Sequence, residues 1–148
     1  MAVERVQSYR DLDAWKVGMN LSVVIYGVVK SLPQTERFGL SSQMRRAAVS
    51  VPSNVAEGQS CGEDGRYIHH LRVALGSLGE LSTQLEIASR LAMLPTALTS
   101  EAEEHVARTG RVLHGLLRYR LQKRRRQAMG LALLGGLTLS LLRVAVLG

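Results

Sequence analysis

From Ile68 to Ala88 the chain places an apolar residue at every third or fourth position: Ile68, Leu71, Leu75, Leu78, Leu81, Leu85 and Ala88. A strand alternates its faces at every residue and would scatter this set over both sides. An α-helix aligns it into one stripe for about five turns. A stripe that long must be covered by other apolar surface, so the neighbouring segments have to supply partners.

They do. Leu12, Trp15, Met19, Val23 and Tyr26 recur at three- and four-residue steps and predict a first helix over residues 11–32, with Asp11 as N-cap. Gly18 and Gly27 inside it each cost up to about 1 kcal/mol of helix propensity, which suits close packing by another helix. Pro33 ends it, and residues 33–39 read as a loop. Met44, Ala47, Ala48, Val51 and Val55 predict a second helix from Ser41 to a stop at Gly58, with a kink at Pro52. Residues 59–65 read as a polar loop and the third helix as 66–94. Ser100 and Glu103 form an S-x-x-E capping box that predicts the start of a fourth helix, with Ala102, Val106, Leu113, Leu116 and Leu117 on its buried face. The expected fold is all-α, an antiparallel up-down four-helix bundle over residues 8–121 followed by a tail at 122–148. Composition agrees, because hydrophobic residues make up 46% of the 148 but aromatics only 4%, a poor supply for strands.

The segment QMRRAAVSVPSNVAEG carries a polar set, Gln43, Arg46, Ser50, Asn54 and Glu57, spaced so that all five share one helix face. A solvated face is one reading. Ser and Asn suit such a face poorly, however, because they compete for backbone hydrogen bonds. A second set, Ser77, Glu80 and Gln84, interrupts the apolar pattern of helix three. The two sets are expected to meet, within a subunit or between subunits, with Arg46 paired to Glu80 and Asn54 near Ser77.

The runs YRDLDAWKVGMNL, ERFGLSSQMRRAAVSVPSNVAEG and ALGSLGEL resemble the 23S rRNA intervening-sequence proteins, also called four helix bundle proteins, over about residues 8–120. That family includes the accessory variability determinant of diversity-generating retroelements. The resemblance implies a four-helix protomer assembling into a ring-like homopentamer. In the retroelement branch it implies binding to nucleic acid and to a reverse transcriptase. The matching positions are Leu12, Trp15, Leu40, Gln43, Arg46, Ser50, Pro52, Asn54, Glu57, Gly58, Gly76, Ser77 and Glu80, which the resemblance marks as structural or assembly residues. Gly65 departs from the pattern, and beyond Leu121 the chain has no counterpart in it.

Charge is unevenly placed. The net charge is +7, yet residues 1–117 hold 12 Lys+Arg against 12 Asp+Glu, and the rest hold the other seven basic residues and no acid. Arg118, Arg120, Lys123, Arg124, Arg125 and Arg126 cluster at the end of helix four. Helix C-termini favour cations by a few tenths of a kcal/mol each, roughly, and four consecutive basic residues exceed that need. The expected partner is nucleic acid, RNA foremost, held by sequence-independent, salt-sensitive phosphate contacts. Tyr119 is the one aromatic nearby, which could stack a base.

Residues 127–142 carry no charge and follow KRRR, the pattern of a membrane segment with its positive flank inside. Sixteen uncharged residues fall short of the roughly 20 that a spanning helix needs. Gly130, Gly135, Gly136 and Arg143 weaken it further. A membrane-associated helix and a helix packed on its own oligomer both remain open for this segment.

No catalytic or metal constellation emerges. His69 and His70 are adjacent and diverge by about 100° on a helix. His105 and His114 have no matched carboxylates, and Cys61 has no CxxC partner. No nucleophile elbow or phosphate-cradling loop accompanies Ser50, Ser77, His69 or Glu57. The sequence therefore reads as a non-enzyme without cofactor or metal. A single cysteine and the absence of an apolar leader within MAVERVQSYRDLDAW point to the cytoplasm.

Overall fold

A computed structural model describes the backbone of residues 7–147 and the side chains of residues 7–130. Four α-helices, α1 (Asp13–Val28), α2 (Leu40–Ser60), α3 (Asp64–Arg90) and α4 (Thr96–Leu147), follow one another, with one 3₁₀ turn before α1 and two in the connection from α1 to α2. Among the described residues there is no strand. The neighbouring pairs are α1/α2, α2/α3, α3/α4 and α1/α4, so the helices stand at the corners of a square around one core. Leu21, Ile25, Met44, Val51, Val55, Leu71, Leu81, Leu85 and Leu113 are fully buried there.

Helix α3 buries the face its stripe predicts, with Ile68, Leu71, Leu78, Leu81, Leu85 and Ala88 inside and Leu75 packed at the edge. Helix α1 does not. Met19, Val23 and Tyr26 are exposed, and the core face is Ala14, Gly18, Leu21, Ser22, Ile25 and Val28. The segment is apolar nearly all round, so hydropathy alone leaves its orientation undetermined. Its small residues decide it.

A Cβ on Gly18 would lie 3.3 Å from Pro52 Cβ, so the missing side chain lets α1 pack closely against the Pro52 ring of α2. Pro52 has no N–H, which leaves the Ala48 carbonyl without its helical donor. Ser22, buried on α1, fills the gap: its Oγ lies 2.9 Å from Ala48 O and 3.0 Å from Gly18 O. Gly18 O is already served by its own helix, so the single hydroxyl proton is worth most on Ala48. This is how α2 continues through Pro52 as one element.

Several boundaries differ from the sequence expectation. Asp11 ends the preceding 3₁₀ turn instead of capping α1: Ser8 is that turn's N-cap, and the Asp11 carboxylate reaches back in a capping box to accept from the Gln7 and Ser8 N–H groups at 2.9 and 2.8 Å. Gly58 lies inside α2 and ends nothing. Its missing side chain makes room for the Tyr67 ring, whose Cδ2 would sit 2.5 Å from a Cβ there. Helix α3 stops at Arg90, earlier than expected. Ala92 adopts φ 51°, and Met93 N–H and Ala92 N–H return to Ala88 O and Ser89 O at 2.9 Å each. This is the Schellman closure, with alanine where glycine is usual. The chain can then restart at Thr96, its first donors meeting Pro95 O. Ser100 is consequently a mid-helix residue, not a cap.

Candidate nucleic-acid interface

Two polar regions were singled out by sequence, and the structure treats them differently. The first lies along the α2/α3 seam. Ser50 Oγ and Ser77 Oγ share a 2.8 Å hydrogen bond. Asn54 Nδ2 donates to Ser50 O at 2.9 Å and to Ser50 Oγ at 3.1 Å. That fixes the amide so that Asn54 Oδ1 faces His70 Nδ1 at 3.1 Å, with Glu57 Oε2 3.4 Å from the same nitrogen. Both neighbours of Nδ1 are acceptors, so the proton sits on Nδ1. The polar sets of α2 and α3 thus meet within one protomer, and Asn54 reaches Ser77 through Ser50.

Within the protomer Arg46 and Glu80 do not pair. Both are exposed, and among the described residues no ion pair joins them. Gln43 is likewise exposed, and Trp15 is half-buried against the Tyr9 ring with centroids 5.5 Å apart. Sequence reasoning missed His70 as a member of the seam. The signal was present, because His70, Ser77 and Gln84 are seven apart and share one face of α3.

The second region is the far end of α4. Arg120 and Lys123 are tied to Asp64 in the first turn of α3: Arg120 Nη1 donates to Asp64 Oδ1 at 3.0 Å, and Lys123 Nζ lies 3.1 Å from Asp64 Oδ2. Arg120 Nη2 also donates to Gln59 Oε1 at 3.1 Å, and the guanidinium stacks 4.1 Å over the Tyr67 ring. Burial works to raise the Asp64 carboxyl, but the hydrogen bonds and charges of Lys123 and Arg120 outweigh it and hold the group below its ordinary 3.8. Burial pushes the Tyr67 phenol up, and the Arg120 charge only partly offsets this. Of the six cations expected to face phosphate, these two therefore also hold α2, α3 and α4 together.

The other four are different. Arg118, Arg124, Arg125 and Arg126 are exposed, and among the described residues none has an ion-pair partner. Residues 124–130 are exposed without interruption, so here α4 has left the body. Successive residues on a helix diverge by about 100°, which sends Arg124, Arg125 and Arg126 to three sides. Sequence reasoning did not join Arg111 and His114 to the basic surface, yet with Arg118 they line a shallow groove on the outer face of α4. Their spacing of three and four was the available signal. The last acidic residue of the chain is Glu104, so the acid-free stretch begins well before Arg118.

The sequence profile of the 23S rRNA-intervening sequence protein matches residues 10–115. The chain belongs to the 23S rRNA-intervening sequence protein family. In fold it is similar to a Bacteroides thetaiotaomicron crystal structure of a protein of unknown function from the S23 ribosomal protein family. The TM-score is 0.66 at 19% identity, covering 71% of this chain and 95% of that one. No curated protein matches the chain. The family match contains the whole α2/α3 seam and stops short of Arg118, so the basic end of α4 lies outside what the 23S rRNA-intervening sequence profile describes.

Among the described residues no three His, Cys, Asp or Glu side chains are grouped to hold a metal, and no helix is long and apolar enough to cross a membrane. Residues 131–148, most of the apolar segment read from the sequence, lie outside the described side chains.

Proposed function

We propose that this protein is a non-enzymatic, homo-oligomeric four-helix-bundle adaptor that binds nucleic acid, RNA foremost, through the basic end of α4. The observation that carries the reading is the exposure of Arg118, Arg124, Arg125 and Arg126 on a helix that has left the bundle, with no carboxylate after Glu104. Cations held clear of internal acids are free to replace the counterions of a phosphate backbone. In this reading the helices run up and down in antiparallel order, α2 bends at Pro52, and protomers join in a ring of five. The exposed apolar residues Met19, Val23 and Tyr26 on α1 and Val49 on α2 support assembly, since such side chains lose less when a partner covers them. A ring would repeat each set of arginines around one axis. A reverse transcriptase would be one protein that such an adaptor could present to its template.

Fluorescence anisotropy with a labelled RNA tests the reading. Affinity should fall steeply with salt, with a log–log slope near −3 for about four phosphate contacts on a single strand. Binding that ignores salt, or no binding at low salt, would sink it.

A second reading follows from the continuation of α4 through Leu147, past residues 127–142, which hold no charge. Here the arginines lie at an anionic membrane surface and the protein is an interaction scaffold without nucleic acid. Co-sedimentation with anionic vesicles, abolished by truncation after Arg126, would favour it over the first.

A further inference from the structure

We propose that the exit of α4 carries a binding site for one unpaired nucleotide, with the base on Tyr119 and the phosphate between Lys123 and Arg126. The inference rests on the nucleic-acid reading above and narrows it to single strands.

Tyr119, Gln122, Lys123, Arg126 and Gln127 line a groove of about 180 Å³ on α4. Their offsets of three, four, seven and eight residues put them on one helix face. Tyr119 is 60% exposed, so its ring is offered to solvent instead of the core. Lys123 and Arg126 follow it one and two turns along the helix. A ring flanked in this way by cations supplies both things a nucleotide presents, a flat π surface and a phosphate. Gln122 and Gln127 add amide donors and acceptors at the edges of the same groove.

The ion pair with Asp64 sharpens the site. Lys123 Nζ has three donors, and both of its contacts, 3.1 and 3.3 Å, go to the two oxygens of one carboxylate. The side chain remains 42% exposed, so a donor is left for an incoming phosphate. Asp64 holds the ammonium in position beforehand, which lowers the ordering cost of binding. Arg126 is exposed and supplies the charge that Asp64 takes from Lys123. Arg120, by contrast, is held by Asp64, Gln59 and the Tyr67 ring together and stays with the body. An unpaired base can stack on Tyr119, whereas a base inside a duplex has both faces covered by its neighbours.

The test titrates the full chain with a short fluorescein-labelled oligouridine and, in parallel, with a duplex RNA of the same length. Tyr119→Ala should weaken oligouridine binding roughly tenfold while Tyr119→Phe stays within about twofold of the parent. Neither variant should change duplex binding. Lys123→Gln and Arg126→Gln should each flatten the oligouridine salt slope by about 0.7. Full oligouridine affinity in Tyr119→Ala, or an equal loss on duplex, would overturn this site and leave the nucleic-acid reading standing. Failure of the parent chain to bind either RNA at low salt would overturn both. Circular dichroism of each variant separates these outcomes from unfolding.

Discussion

The α2/α3 seam and the end of α4 are both polar stripes on helices, and they differ in where their hydrogen bonds go. In the seam, Ser77, Ser50, Asn54, His70 and Glu57 form a chain in which each member's partner is another member. At the end of α4 the exposed arginines have no such partners among the described residues, whereas Arg120 and Lys123 turn back to the body. A polar group satisfied internally specifies how helices pack. One left pointing outward gains little for the fold and stays free to meet a partner or water.

The sharpest way to break this contrast is to remove the outward charges together. Arg124→Gln, Arg125→Gln and Arg126→Gln combined should weaken RNA binding about a hundredfold at low salt and flatten the salt slope by about 2. The melting temperature should stay unchanged, since these side chains hold nothing in the body. A variant that loses stability without losing affinity would invert the assignment of the two regions.

The next effect comes from the joint between them. Gly58 and Arg120 press on the Tyr67 ring from the seam and from α4. Gly58→Ala would place a methyl 2.5 Å from Tyr67 Cδ2 and 3.1 Å from His70 Cβ. The ring is only 2% exposed and has nowhere to go. Overpacking of this kind should cost about 2 kcal/mol in chemical denaturation, with RNA affinity of the folded fraction little changed.

Within the seam, Ser50→Ala leaves the largely buried Ser77 hydroxyl and the Asn54 amide short of a partner, at a cost of about 1–2 kcal/mol. Ser50→Ala with Ser77→Ala should cost clearly less than the two single variants summed, because the orphaned hydroxyl is gone as well. Strict additivity would mean that the 2.8 Å contact contributes nothing to packing.

How much of this was legible in the sequence depends on how one-sided each segment is. Helix α3 was legible because its leucines occupy one face and the opposite face is polar. Helix α1 was not, because valines and a tyrosine surround it and the deciding residues, Gly18 and Ser22, score as neutral. Their role emerges only against Pro52, from another helix. The capping box at Ser100 and Glu103 was a local pattern inside a helix already begun at Thr96, since the turn at Ala92 is encoded by no glycine. In the candidate interface, the meeting of Ser50 and Asn54 with Ser77 followed from face and spacing. The Asp64 contact did not, because it joins residues 56 and 59 positions apart.

That contact also yields the smallest predicted effect, and the one that distinguishes the two regions by pH. Asp64 is held below its ordinary value of 3.8 in the folded chain. A carboxyl with a depressed folded pKa adds stability that is present above the unfolded value and is lost as the pH falls through the folded one. Thermal melts of the parent and of Asp64→Asn should therefore differ at pH 5, with the parent more stable, and converge as the pH drops below the folded pKa. Ser50 and Ser77 carry no titrating group themselves, so Ser50→Ala should keep a nearly constant offset from the parent across this window. If Asp64→Asn instead keeps a fixed offset down to the lowest pH, its contribution is packing, and the clamp on Lys123 and Arg120 is steric and not ionic.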